Sequence, residues 1–195
     1  MDPVLLSRLQ FALTVGFHFL FPPTTLALTL FILIFETRHV RHGREVDRQI
    51  SSFLVRILGL VFVLGTATGV VMEFAFGNNW AQYSRLVGDI FGPPLAAEAI
   101  LAFFLESVFL GLLVFGRARL SRRAYLVSAW MVAVGAHLSG LWIIAANSWM
   151  QTPAGFRLAG DRAVLTDFWS ALANPSTGVR TLHTILASWI TGALL

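Results

Sequence analysis

Residues 53–76 read FLVRILGLVFVLGTATGVVMEFAF, and Arg56 and Glu73 are the two charged residues in this stretch. A helix needs about 20 predominantly apolar residues to cross the hydrocarbon core of a bilayer. The stretch therefore predicts a membrane-spanning helix. The whole chain agrees, because 56% of its 195 residues are hydrophobic and 12% are charged, a composition outside the range of soluble globular domains.

Similar apolar stretches recur and predict an all-α fold, a polytopic transmembrane helix bundle with four full spans and the start of a fifth. The predicted spans are approximately 10–35, 53–76, 93–116, 124–149 and 177–195. They form a single transmembrane domain, 1–195, which we expect to be the N-terminal portion of a longer chain, because the fifth span lacks a polar exit. Pro22-Pro23 predicts a kink after Phe21, and Pro93-Pro94 is expected to open the third span.

The connectors between the spans alternate in charge. All fourteen basic residues are arginines; segments 36–48 and 117–123 hold four each, whereas 77–92 holds one and 150–176 holds two. The positive-inside rule places the arginine-rich connectors in the cytoplasm and the N-terminus outside. The same clustering accounts for the net charge of +4 and argues against nucleic-acid binding. Segment 150–176 is expected to be an ordered surface loop on the outer side.

Four ionisable side chains, His18, Glu98, Glu106 and His183, fall inside the predicted spans. Such groups are costly in hydrocarbon unless a partner, a metal or water receives them, so they mark a functional site. At a helical rise of about 1.5 Å per residue, His18, Glu98 and His183 lie roughly 7–12 Å from the outer ends of their helices. Glu106 lies about 12 Å deeper than Glu98 and about 80° around the helix. The two acids could therefore form a ladder for protons.

These residues also have plainer interpretations. His18 or His183 could donate to a carbonyl of a neighbouring helix, and this interpretation is favoured for His137 in the fourth span. Glu73 could be a solvated carboxylate at the membrane interface. The chain has no cysteine and no histidine pair at i, i+4 spacing, so a zinc or copper site is poorly supported. Single histidines on separate helices instead suit axial ligation of haem.

Several longer motifs extend the comparison beyond single residues. They are LSRLQFALT at 6–14, GFHFLFP at 16–22, GTATG at 65–69, MEF at 72–74, GNNW at 77–80, VGDIFG at 87–92, LAFFLES at 101–107, LWI at 141–143, ANSWMQ at 146–151 and HT at 183–184. With these motifs the chain resembles subunit I of the cytochrome bd-type quinol oxidases. The resemblance covers essentially all 195 residues.

The resemblance implies a terminal respiratory oxidase, a quinol:oxygen oxidoreductase that reduces dioxygen to water with protons taken from the cytoplasm. It implies a low-spin haem b, a high-spin haem b and a haem d, or another haem b in its place. By this similarity His18 matches an iron ligand of a high-spin haem and His183 an iron ligand of the low-spin haem. Glu98 matches the carboxyl beside the oxygen-reducing site, and Glu106 matches the inner acid of a proton pathway.

The implied partners are subunit II of the oxidase, small single-span subunits, quinol, dioxygen and membrane lipid, in the cytoplasmic membrane of a bacterium or archaeon. The family's methionine ligand to the low-spin haem, its quinol-binding loop and a later carboxyl ligand have no match in this chain, so the segment alone is incomplete. Two other functions stay open: a haem-free membrane subunit with a structural or assembly role, and a proton-coupled transporter in which the carboxyls bind ions.

Overall fold

The computed structural model describes residues 2–194, apart from the side chains of Ala99, Leu101 and Ala102. The described chain is mostly helical, which confirms the predicted all-α transmembrane bundle. Its helices are α1 (Pro3–His18), α2 (Phe21–His42), α3 (Glu45–Gly77), α4 (Ala81–Ala97), a π-helical segment (Glu98–Phe103), α5 (Phe104–Phe115), α6 (Arg122–Gln151), α7 (Phe168–Leu172) and α8 (Thr177–Leu194). An antiparallel hairpin of β1 (Phe156–Ala159) and β2 (Arg162–Leu165) precedes α7.

Within residues 2–194, three helical stretches are long and apolar enough to cross a membrane. They are Pro3–His42, Glu45–Gly77 and Arg122–Gln151. Phe104–Phe115 is equally apolar but shorter, and it continues the π-helical segment and α4 in one helical run from Ala81. The predicted third span, 93–116, therefore lies inside a longer helical run.

The proline pair in the first helical stretch breaks the helix earlier than predicted. The expected kink after Phe21 is wrong, because α1 ends at His18 and α2 begins at Phe21 with both prolines in its first turn. A proline ring clashes with the carbonyl four residues before it. Pro22 and Pro23 thus displace the carbonyls of His18 and Phe19, and the chain leaves the helix at Phe19–Leu20.

The second proline pair lies in the interior of a helix. Pro93 and Pro94 were expected to open a helix, but α4 already begins at Ala81. The turn after α3 starts it, where the N–H of Trp80 donates to the carbonyl of Ala75 over 2.8 Å. The prolines lack the N–H groups that would reach the carbonyls four residues earlier, and the π-helical pattern begins four residues after Pro94, at Glu98.

The main core lies between α2, α3, α5 and α6, and it consists of buried aliphatic side chains. They include Ile32, Leu58, Leu113, Val132 and Ala129. A second cluster packs the hairpin and α7 against α4 and α6. It is formed by Val87, Ile90, Phe91, Ala146, Trp149, Ala163 and Ala171. α8 packs against α2 and α6.

Segment 150–176 was predicted as a loop, and it is ordered through a hairpin and a short helix. Gly160, with φ +63°, provides the left-handed residue in the hairpin turn. Asp89 of α4 accepts a hydrogen bond from the N–H of Leu165 at 2.7 Å, which fixes β2 beside α4. Gly155, with φ +68°, lies so close to the backbone of Asp167 that a Cβ would overlap it.

Candidate functional site

The bundle has two different ends. The arginine end comprises the turn between α2 and α3 and connector 116–121; the hairpin end comprises turn 78–80 and segment 152–176. α1 and α2 run antiparallel to α3, and Gln10 Oε1 accepts from Trp80 Nε1 at 3.1 Å near the hairpin end. Gln10 and Trp80 therefore lie at the same height, that is, at the same distance from the hairpin end of the bundle.

His18, the last residue of α1, is hydrogen bonded to α3. Its Nδ1 lies 2.8 Å from Oγ1 of Thr68, and that oxygen lies 2.9 and 3.0 Å from the carbonyls of Leu64 and Gly65. A hydroxyl has one proton and carbonyls only accept, so we assign the Thr68 proton to a carbonyl and the donor role to His18 Nδ1. In the neutral imidazole, Nε2 then carries the free lone pair.

His183 has a different environment. It lies on an exposed face of α8, and neither ring nitrogen has a hydrogen-bond partner among residues 2–194. α8 packs closely on α2, since a Cβ at Gly192 would overlap Ala27. α1, by contrast, packs on α3. His18 and His183 are therefore presented by different parts of the bundle.

Glu98 is the first residue of the π-helical segment and reaches α6. Its Oε1 accepts a hydrogen bond from Ser139 Oγ at 2.7 Å, and the side chain is half-buried. A π turn, with i→i+5 bonds, is rare and occurs frequently at functional sites. The angle of about 80° predicted between Glu98 and Glu106 assumed an uninterrupted α-helix. That angle is wrong, because the segment between them is π-helical.

Glu106 lies in the first turn of α5 and is buried, with 6% of its surface exposed. Glu106 follows Glu98 by eight residues in the same helical run, and Glu98 contacts α6 through Ser139. Glu73 of α3 is exposed. Glu98, which is half-buried, and Glu106, which is buried, thus lead along one helical run into the core.

Contacts between helices place the histidines and Glu98 at similar heights. On α8, Trp189 donates to His137 of α6, and Glu98 accepts from Ser139 two residues further along α6. At about 1.5 Å per residue, His183 is about 6 Å nearer the hairpin end than Glu98. Thr68, the partner of His18, lies nine residues, about 14 Å, from the hairpin end of α3, and Ser139, the partner of Glu98, lies twelve residues, about 18 Å, from the hairpin end of α6.

His137, for which the sequence indicates no specific role, has both ring nitrogens occupied. Nδ1 lies 2.7 Å from the carbonyl of Ala133, so Nδ1 must be the donor, and Nε2 accepts from Trp189 Nε1 at 3.2 Å. A neutral imidazole has one donor and one acceptor. His137 is therefore a core histidine whose hydrogen bonds are satisfied by its own helix and by α8.

Two partners of the predicted site residues did not emerge from the sequence as functional residues. Thr68 lies in the quoted motif at 65–69, so its position in that motif was an available signal. Ser139 is a hydroxyl in an apolar helix, which is common and indicates little by itself, because such hydroxyls usually bond to their own helix. Only the packing of α6 on the π-helical segment pairs Ser139 with Glu98.

Comparison with known proteins gives one consistent result. Residues 6–195 match the family described as "Cytochrome bd terminal oxidase subunit I". The chain is 48% identical over 195 residues to cytochrome bd-II ubiquinol oxidase subunit 1 of Escherichia coli (strain K12). It is 42% identical over 193 residues to cytochrome bd ubiquinol oxidase subunit 1 of Bacillus subtilis (strain 168). Its fold matches the structure of bd oxidase from Geobacillus thermodenitrificans with a TM-score of 0.92 at 28% identity.

The coverage is unequal between the chain and its relatives. These matches include 99%, 99% and 98% of this chain, but 38%, 41% and 44% of the respective relatives. The chain thus spans about two fifths of the length of the proteins it matches. Together, the family match over residues 6–195 and the helical bundle show that the chain belongs to the cytochrome bd terminal oxidase subunit I family.

Proposed function

We propose that this chain forms the N-terminal part of a haem-containing terminal respiratory oxidase, which oxidises quinol and reduces dioxygen to water. The observation that carries the proposal is the His18–Thr68 hydrogen bond, which leaves Nε2 of a half-buried imidazole with a free lone pair. The sequence relatives are ubiquinol oxidase subunits by name. We further propose that residues 1–195 are a single transmembrane domain with the spans predicted above.

The imidazole of His18 fits a haem ligand. Metal-bound histidines usually donate their other ring N–H to a second group, which fixes the ring and raises its basicity. Thr68 is that second group here. When bound, haem supplies an iron that exchanges electrons and, with an open position, binds dioxygen. We assign His18 to a high-spin haem and His183, whose ring nitrogens are open, to the low-spin haem b; the remaining haem is haem d or a second haem b.

The carboxyls supply protons in this proposal. Glu106 is buried in the core, and Glu98 lies nearer the hairpin end in the same helical run. Glu106 would receive a proton from the arginine end and pass it toward Glu98, which Ser139 holds in place. Removing water around a positioned acid directs the proton to the next acid rather than to solvent.

The arginine distribution supports the direction of proton uptake. The positive-inside rule places the arginine end in the cytoplasm and the N-terminus outside. Protons then enter from the cytoplasm, in the membrane of a bacterium or archaeon. The partners in this proposal are subunit II, small single-span subunits, quinol, dioxygen and membrane lipid. The rest of the subunit would complete the low-spin haem and the quinol site.

A reduced-minus-oxidised visible spectrum of the complete purified complex tests the proposal. We expect haem bands of both low-spin and high-spin type, together with quinol-dependent oxygen consumption. A complex without haem bands would instead favour a structural subunit or a proton-coupled transporter. In the transporter case, ion uptake into vesicles would depend on Glu98 and Glu106 while oxygen consumption would be absent.

A further inference from the structure

One arginine joins four helices at the arginine end. Arg117 lies two residues after the end of α5 at Phe115, and its Nη2 donates to Oε1 of Glu36 on α2 and, at 3.2 Å, to Oγ of Ser51 on α3. Its guanidinium also lies over the ring of Tyr125 on α6, 3.7 Å from the ring centroid. Planar guanidinium groups suit such simultaneous pairing and stacking.

Tyr125, which stacks on Arg117, is also hydrogen bonded to α5. The phenol O–H donates to the carbonyl of Leu113 in the last turn of α5, at 2.8 Å. Glu36 and Ser51 are essentially inaccessible, with 1% and 0% of their surfaces exposed. Glu36, Ser51 and Tyr125 are buried, and Arg117, with 23% of its side chain exposed, covers them; we term this group the latch. It fixes the end of α5 to α2, α3 and α6.

The position of the latch matters because of what α5 carries. α5 has twelve residues, about 18 Å at the α-helical rise. It has the latch at one end and Glu106 in its first turn at the other, directly after the π-helical segment. A π-helical segment is a frequent site of local adjustment in helices. The latch therefore holds one end of α5, whose middle packs in the main core, and Glu106 lies at the other end.

We propose that Arg117 is a positioning residue: through the latch it sets the register of α5 and so places Glu106 for proton transfer. The inference rests on the proposed oxidase function, which gives Glu106 its role. The acid needs accurate placement, since a displacement of about 1 Å can lower a rate by about 100-fold. Arg117 itself contacts no substrate or cofactor and acts through Glu106.

The test uses the complete oxidase complex with Arg117→Gln and Tyr125→Phe. The first variant removes the guanidinium, and the second keeps the ring but removes the hydrogen bond to Leu113. The readouts are haem content, oxygen turnover and the infrared C=O stretching band of the Glu106 carboxyl, which is identified by its loss in Glu106→Gln. We expect retained haem bands, a shifted Glu106 band and a turnover loss of about tenfold to 100-fold for Arg117→Gln.

Arg119→Gln is the matched control, because Arg119 is exposed in the same connector and has no ion-pair partner among the described residues. It should leave the band and the turnover unchanged. Tyr125→Phe should shift the Glu106 band in the same direction as Arg117→Gln. If the Arg117→Gln complex does not assemble, Tyr125→Phe alone tests whether the latch positions Glu106. Wild-type turnover and an unshifted band in Tyr125→Phe would overturn the latch, whereas a wild-type complex without haem would overturn the oxidase function instead.

Discussion

Nδ1 of His18 lies 2.8 Å from Oγ1 of Thr68, and this contact determines which nitrogen of the imidazole is free. His137 lies in equally apolar surroundings but uses both nitrogens, one on the Ala133 carbonyl and one on the Trp189 indole. The two histidines are alike in sequence context and differ in hydrogen bonding. That difference separates a ligand candidate from a core residue.

Thr68→Val tests the orientation of His18. The substitution keeps the side-chain shape and removes the hydroxyl, so the ring loses the acceptor that fixes it. Loss of such a second group typically lowers metal affinity or activity by about 10-fold to 100-fold. We expect a weaker high-spin haem signal and slower oxygen consumption. Thr66→Val is the control, since Thr66 lies in the same motif and is not the partner of His18; equal effects of the two variants would contradict the role of Thr68.

Separate removal of the two histidines tests the haem assignment. His18→Ala should abolish the high-spin, oxygen-binding signal and leave the low-spin bands, because the ligand of one haem alone is lost. His183→Ala should do the reverse. His137→Gln is the control and should retain both signals, since its nitrogens are occupied by protein groups. Visible spectra of the reduced complex measure all three variants, and equal loss of both signals in the first two would refute the assignment.

Glu106→Gln tests the supply of protons. The amide has nearly the same shape but does not release a proton, so oxygen consumption should fall by about 10²-fold to 10⁴-fold. Haem insertion should change little, because Glu106 lies on α5 and takes no part in the His18–Thr68 hydrogen bond, which joins α1 to α3. Turnover and haem content are measured on the same preparation. Unchanged turnover at full haem content would exclude Glu106 from the proton route.

Asp167 gives a prediction on pH dependence at the hairpin end. Its carboxylate accepts from the Ser170 hydroxyl and from the Trp169 N–H, and these hydrogen bonds hold the pKa of Asp167 below its usual 3.8. A lowered folded-state pKa means that the stabilisation is present above pH 3.8 and is lost as the pH falls through the lower folded value. The protection factors of the amides of residues 168–172, which compare the measured exchange rate with the intrinsic rate at the same pH, should therefore be higher at neutral pH than in acid.

The matched variants for that measurement are Asp167→Asn and Asp161→Asn. Asp167→Asn should speed exchange in α7 at neutral pH, because the amide is a weaker N-cap acceptor than a carboxylate. Asp161 lies in the exposed turn of the hairpin, and its substitution should leave α7 unchanged. Identical exchange in the wild type and Asp167→Asn at pH 7 would show that the cap does not hold α7.

The sequence was most informative where the polarity of single residues is enough to predict a feature. Apolar length predicted the helical bundle, and the cost of a charge in hydrocarbon indicated His18, Glu98 and Glu106. The structure places Glu98 and Glu106 in one helical run and gives His18 a partner. What remained hidden were pairings between distant helices, such as Glu98 with Ser139, 41 residues apart.

The errors concern local backbone patterns. Pro22-Pro23 was identified as a disturbance and Pro93-Pro94 as a helix start, but the effect of a proline depends on which carbonyl lies four residues earlier and on where the helix has already started. The hairpin at 156–165 was missed because its strands have four residues each and are stabilised by α4 through Asp89 rather than by their own alternation. Tertiary contacts decided these features.

The π-helical segment has a consequence for insertions and deletions. A wider turn accommodates an additional residue, so deleting Ile100 would allow the run from Ala81 to Phe115 to become α-helical throughout. Glu98 would then rotate by about 100° relative to Glu106, the angle of one residue in an α-helix. A change of one residue in chain length at this point would redirect an acid.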